Sequence, residues 1–243
     1  MKIDLDYKLL AREDYRANEA FKALRTNILF CGDEVKVIAF TSATPNEGKS
    51  SVSLNLATSL ADMGKKVIYI DADLRKSVVK QKHRIKGAKL GLSHLLSGMN
   101  KFDEVVSSTN VENLKVILAG PVPPNPSELL GSKYMKTLIK NLRETYDYII
   151  VDTPPIGSVT DAAVIANEVD GMILVISSGQ ISYKFEQKVL ADLQVSGCRI
   201  LGAVLNKLDM SENKYYGKYY GRYYGKYYGK YYGNYGNYGM EEE

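Results

Sequence analysis

The run from Val35 to Met63 restricts the fold more than any other part of the sequence. Val35–Thr41 is apolar enough to be a buried strand, Lys49–Met63 has the period of a helix, and Ser42-Ala43-Thr44-Pro45-Asn46-Glu47-Gly48-Lys49-Ser50-Ser51 joins them. A strand, a tight loop ending Gly-Lys-Ser and a helix bring backbone N–H groups and a helix N-terminus to one point, which cradles phosphates. Lys49 would reach the β- and γ-phosphates, and the Ser50 hydroxyl would sit on Mg²⁺. Ala43 stands where the first glycine of such a loop normally does, so the loop alone is an incomplete match.

Further apolar runs alternate with longer amphipathic stretches, as in a parallel sheet covered by helices. Strands are predicted at Val67–Ile70, Lys115–Leu118, Tyr148–Val151, Met172–Ile176 and Ile200–Leu205, and several are nearly continuous in Val, Ile and Leu, as strands buried on both faces are. Helices are predicted at Asn18–Phe30, Leu90–Leu96, Ser127–Thr145, Asp161–Glu168 and Tyr183–Gln194. The expected fold is α/β: a doubly wound, mostly parallel sheet of the P-loop NTPase kind with helices on both faces, preceded by an N-terminal helix.

Two of these strands end in acid. Tyr148-Ile149-Ile150-Val151-Asp152 places a carboxylate at a carboxyl-terminal strand edge, where ligands bind in open α/β sheets. Taken alone, a strand-end Asp is more often a helix cap; beside a phosphate loop it becomes a candidate for holding hydrated Mg²⁺. Val67-Ile68-Tyr69-Ile70-Asp71-Ala72-Asp73-Leu74-Arg75 is the other, with carboxylates at i and i+2 free to face one crevice. Its plain alternative is a solvated turn with an Asp–Arg pair.

Composition changes near residue 211. Twelve of the 19 tyrosines lie between Tyr215 and Tyr238, in the repeats KYYG, KYYG, RYYG, KYYG, KYYG, NYG and NYG. A glycine in every repeat and no branched aliphatic leave nothing to offset the entropy of ordering, so this tail is expected to be disordered. The expected division is a domain over residues 1–213 and a tyrosine cluster over 214–243. No apolar run approaches a bilayer-spanning length, and the start is too charged for a signal peptide. Cys31 and Cys198 are too few to staple the fold and read as reduced, buried thiols; His83 and His94 read as structural or solvent-facing. With 32 Lys+Arg against 28 Asp+Glu, the chain is too balanced for a dedicated nucleic-acid binder.

The loop from Ser42 to Ser51, Asp71-x-Asp73-x-Arg75 and Asp152-Thr153-Pro154-Pro155 resemble the Walker A, A′ and B motifs of bacterial tyrosine kinases, which share a P-loop branch with the MinD/ParA ATPases. Glu19 to Ile28 is similar to the family's N-terminal helix motif, Pro123 to Leu130 to its characteristic loop, and the tail to its tyrosine cluster. Two positions depart from the pattern: Lys22 replaces the middle arginine of the oligomerisation motif Glu19, Lys22, Arg25, and Asn46 replaces a loop glycine. The plain alternative for the former is a solvated helix face with i,i+3 pairs.

The resemblance implies ATP and Mg²⁺, with Ala43, Thr44, Pro45, Asn46, Glu47, Gly48, Lys49, Ser50, Ser51 and Asn206 on the nucleotide and Ser50, Asp73 and Asp152 on the metal. Lys49, Asp71, Asp73 and Arg75 would be catalytic, Asp71 being the first choice for proton acceptor, with the roles of the two acids exchangeable. The acceptors would be Tyr215, Tyr216, Tyr219, Tyr220, Tyr223, Tyr224, Tyr227, Tyr228, Tyr231, Tyr232, Tyr235 and Tyr238, modified between subunits of a ring. A tail of this length extends roughly 100 Å at most and reaches about 30 Å as a coil. The resemblance further implies a cytoplasmic protein recruited to the inner membrane face by an adaptor of polysaccharide export, with a cognate tyrosine phosphatase. Two alternatives stay open. A MinD/ParA-like ATPase switch carries a signature lysine where this chain has Thr44, and Asn206-Lys207-Leu208-Asp209 matches the NKxD pattern of GTPases, though no glycine follows Asp152 before Gly157.

Overall fold

The strand that feeds the phosphate loop sits inside the sheet, hydrogen-bonded on both sides. In this computed structural model the described residues are 2–6, 14–85, 89–156, 161–195 and 197–208. The strands are β1 (Lys2–Ile3), β2 (Val37–Ser42), β3 (Val67–Asp71), β4 (Val106–Thr109), β5 (Leu114–Ile117), β6 (Tyr148–Asp152), β7 (Gly171–Ser177) and β8 (Ile200–Asn206), in the order β1-β4-β5-β3-β6-β2-β7-β8. All neighbours run parallel except β4 and β5. The mostly parallel, doubly wound sheet expected from the sequence is therefore what the chain forms.

Helices α1 (Tyr15–Leu29), α2 (Lys49–Asp62) and α3 (Val79–Lys82) share an apolar layer with one face of the sheet. Leu54, Leu56 and Leu60 of α2 meet Ile38, Phe40, Tyr69 and Ile150 there. The other face packs on α4 (Leu92–Leu96), α5 (Phe102–Val105), α6 (Pro126–Leu130), α7 (Lys133–Thr145), α8 (Asp161–Ala166) and α9 (Tyr183–Val195). Val37, Ile68, Ile149 and Met172 meet Leu92, Met135, Leu142, Ile165 and Leu193 in that layer. Alternate residues of the central strands enter the two layers, which is why their sequences are apolar throughout.

Element ends follow local chemistry. The first helix begins at Tyr15, not Asn18, because the Asp14 carboxylate accepts from the N–H groups of Arg16 and Ala17. The stretch expected as one helix over Ser127–Thr145 is two, since Gly131 ends α6 and the Ser132 hydroxyl caps α7 through Met135 N–H. The thiols of Cys31 and Cys198 are free but only half-buried, which corrects the expectation of buried ones. Each lies near a chain turn outside both apolar layers' fully buried set. His83 is structural: it is 2% exposed, and burial first, then Lys82, lowers its pKa to about 4. By contact the chain divides into residues 1–206 and 207–243. Asp209 and the twelve tail tyrosines lie outside the described residues, and among the described residues no helix is long and apolar enough to cross a membrane.

Candidate active site

Register builds the site. Asp152, the last residue of β6, pairs with Phe40 of β2 on one side and with Asp71 of β3 on the other. β3 and β6 thus end level, β2 runs two residues further to Ser42, and the loop after β2 begins beside their ends. Gly48 takes a left-handed φ of 94° at the N-terminus of α2, and a Cβ there would lie 2.1 Å from Asn206 Nδ2, so only glycine fits. Asn46 has φ 68°, a conformation asparagine accepts better than most side chains, which explains how it replaces a glycine.

The loop is held from behind by its own acid. Glu47 is fully buried; its Oε1 accepts from Thr44 N–H and from the Thr44 hydroxyl at 2.9 Å, and its Oε2 accepts from Ser177 N–H at 3.1 Å. Asn206 Nδ2 donates to the Glu47 carbonyl at 2.8 Å. Glu47 and Asn206 therefore shape the loop from the β7 and β8 side, leaving Lys49, Ser50 and the helix N-terminus toward the strand ends. Ala43 is buried, and Pro45 is exposed.

Lys49 Nζ stands 3.4 Å from Asp73 Oδ2, Asp152 Oδ1 and Ser50 Oγ. Burial would lower its pKa, but the carboxylates around it, Asp152 foremost, outweigh burial and hold it above the ordinary value. Burial and then Asp152 raise Asp71 to about 7, against the Ser77 hydroxyl, which donates to Asp71 Oδ2. Burial likewise raises Asp152, with Lys49 opposing. One buried ammonium facing three buried carboxylates is a site short of positive charge. That deficit fits Mg²⁺, which takes one or two carboxylates and completes its shell with water and phosphate oxygens. Among the described residues no group of three His, Cys, Asp or Glu side chains is spaced to hold an ion unaided, so such an ion would need the phosphates.

Not every predicted residue joins this cluster. The Arg75 guanidinium forms two bonds with Asp161, at 2.7 and 3.0 Å, and one with Ser127 Oγ at 3.0 Å, tying the end of β3 to α6 and α8. Glu19 and Lys22 form an i,i+3 pair at 2.7 Å on α1, whereas Arg25 turns inward and donates to the Ser59 carbonyl of α2 at 2.8 Å. The structure adds partners that the motifs did not announce. The Tyr69 hydroxyl donates to Asp152 Oδ2 at 3.1 Å, Ser77 holds Asp71, and Asp161 holds Arg75. Tyr69 is the one polar residue inside β3 before its terminal Asp71, and that is its one signal.

A phosphate loop with a buried lysine, set against two acidic strand ends on a parallel sheet, defines a P-loop nucleotide-binding protein. A model for an AAA domain matches residues 35–194, and over 211 residues the chain is 44% identical to the tyrosine-protein kinase CpsD of Streptococcus agalactiae serotype III, covering 87% of this chain and 90% of that one. The chain belongs to the bacterial tyrosine-protein kinase family. Among solved structures, the kinase domain of the Escherichia coli tyrosine kinase ETK matches with a TM-score of 0.80 and 34% identity, over 87% of this chain and 84% of that one. MinD from Pyrococcus horikoshii, complexed with Mg-ADP, matches with a TM-score of 0.62 and 26% identity, over 74% and 72%.

Proposed function

We propose that this protein transfers the γ-phosphoryl group of ATP to the tyrosines between Tyr215 and Tyr238 of another copy of itself, in a ring-like homo-oligomer. The observation that carries this reading is Asp71: a buried carboxylate beside Asp152 and Lys49, with a pKa of about 7. A tyrosine phenol, with a pKa near about 10, is protonated at neutral pH and needs an acceptor of that kind. The phenol oxygen bonds to the γ-phosphorus, the bond from that phosphorus to the bridging oxygen of ADP breaks, ADP leaves, and the phenol proton passes to Asp71. Lys49 faces the charge that develops on the transferring group. Mg²⁺, held by Ser50, Asp73 and Asp152, would neutralise phosphate charge when bound. Loop residues 43–51 wrap the phosphates, and Asn206 borders the adenine edge.

The activity would regulate polymerisation and export of capsular or extracellular polysaccharide. The kinase would be brought to the inner membrane face by an adaptor that is itself a polysaccharide co-polymerase, and reset by a tyrosine phosphatase. Of the predicted oligomerisation residues, Glu19 and Lys22 would face the neighbouring subunit of the ring, while Arg25 holds α1 to α2 behind them. The test is incubation with γ-labelled ATP and Mg²⁺, with the adaptor's cytoplasmic segment supplied, comparing wild type, Lys49→Met and a chain ending at Asn213. Label on wild-type tail tyrosines alone is the expected result. Phosphate release with no labelled protein would instead make it a MinD-like ATPase, and preference for GTP would make it a GTPase.

A further inference from the structure

The fully buried Tyr69 lies opposite Ile150 of β6 in the sheet register, one step short of the facing pair Asp71 and Asp152. Residues two apart on a strand share a face, so Tyr69, Asp71 and Asp152 all lie on the side that α2 covers. A buried phenol needs a partner for its hydroxyl, and any backbone carbonyl would serve. Here the partner is the acid at the end of β6. Tyr69 Oη donates to Asp152 Oδ2 at 3.1 Å, while Oδ1 of the same carboxylate faces Lys49 Nζ at 3.4 Å. The two oxygens of Asp152 are thereby made unlike: one is committed to the phenol and the other is turned to the phosphate loop.

The phenol is tied to α2 as well. The Ser53 hydroxyl, fully buried, hydrogen-bonds to it and also donates to the Ser50 carbonyl at 3.2 Å, one turn back along the helix. Tyr69 thus stands between Ser50 and Asp152, two of the residues assigned to Mg²⁺ above. That ion takes its oxygens at about 2.0–2.1 Å in a nearly ideal octahedron, whereas Ca²⁺ accepts longer and less regular shells. A site for the smaller ion therefore needs its ligands held still, and a group that orients a ligating side chain is typically worth about 10–100-fold in metal affinity. Without the phenol hydroxyl, Asp152 could turn about its Cβ–Cγ bond and offer Lys49 either oxygen.

Resting on the Mg²⁺ assignment above, we infer that Tyr69 is a positioning residue: by bonding Asp152 on one side and Ser53 on the other, it fixes the metal ligands of β6 and α2 relative to each other and makes the site select Mg²⁺ over Ca²⁺. Its side chain is buried beneath the loop and acts through Asp152, with no part in bond making or proton transfer. The strand position that looked like an ordinary core aromatic thereby determines which cation accompanies the nucleotide.

The test is calorimetry of ADP binding to the full chain in EDTA, in Mg²⁺ and in Ca²⁺, for wild type, Tyr69→Phe and Ser53→Ala. Tyr69→Phe should bind ADP in EDTA as wild type does, lose about tenfold of the tightening that Mg²⁺ gives, and keep the tightening by Ca²⁺ within about twofold. Ser53→Ala, which cuts the same link at its other end, should lose about threefold by the same pattern. On an Asp152→Ala background, Tyr69→Phe should change the Mg²⁺ gain no further, because its effect passes through that carboxylate. A loss equal with and without metal, an equal loss for both metals, an effect that persists without Asp152, or a wild type that gains nothing from Mg²⁺ overturns the inference. Should Tyr69→Phe not fold, Ser53→Ala decides by the same criterion. Failure of the kinase reading is separately visible as wild type that binds ADP with Mg²⁺ yet labels no tail tyrosine.

Discussion

The proton acceptance proposed for Asp71 and its burial make different demands, and the two separate under mutation. Its folded pKa of about 7 lies above the ordinary carboxyl value of 3.8, so the folded protein retains a proton that the unfolded chain releases. The stability this contributes is full below the unfolded value and is lost as pH rises through about 7. Asp71→Asn cannot ionise; in the absence of metal and nucleotide it should be the more stable protein at pH 8, with the gap closing toward pH 4, as urea denaturation would show. The same substitution should lower tyrosine transfer by about 10²–10⁴-fold. His83 runs the other way. Its folded pKa of about 4 is below the ordinary imidazole value of 6.5, so its contribution is present above pH 6.5 and disappears as pH falls through 4. Relative to His83→Phe, the wild type should lose roughly 3 kcal/mol between pH 7 and pH 4. Lys49, Asp73 and Asp152 were legible because acids and a lysine at strand and helix ends have few structural uses together. Ser77 was not, because its contact with Asp71 depends on how the chain turns after Leu74.

The N-terminal helix shows how an element's role divides among its side chains. Arg25 bonds across to α2 through the Ser59 carbonyl, while Lys22 and Glu19 pair on the outer surface. Arg25→Ala should therefore cost about 1–2 kcal/mol and raise amide hydrogen exchange through α1. Lys22→Ala should change stability by less than about 0.5 kcal/mol, so any loss of assembly in that variant reports on the subunit contact alone. Long, strongly apolar elements were readable: β2, β3, β6, β7 and β8 all fall within two residues of expectation. The short strands β1 and β4 and the single-turn helices α3 and α5 were missed, because two to four residues give a periodic pattern no room to repeat. The break between α6 and α7 was visible only as Gly131-Ser132, a pair that can also sit inside a helix.

Across the whole molecule, charge would link the proposed transfer to the proposed assembly. Residues 214–243 carry five Lys+Arg against three Glu, and two phosphotyrosines already reverse that sign. In the proposed ring, phosphorylated tails should repel the acidic strand ends of neighbouring subunits, and light scattering should give a smaller mass for the heavily phosphorylated protein than for the unmodified one; equal masses would refute this. The fold's class was legible because its strands carry unbroken apolar runs, whereas the pair that Arg75 makes with Asp161 joins residues far apart in the chain and needed the fold to bring them together. The buried Glu47 has one more consequence. By bonding Thr44 on one side and Ser177 on the other, it fixes the phosphate loop through contacts within the protein itself. The conformational freedom that a nucleotide would otherwise have to remove was lost when the domain folded. Nucleotide association should then show little unfavourable configurational entropy, while Glu47→Ala, leaving the loop to order upon binding, should show a larger entropic opposition by calorimetry.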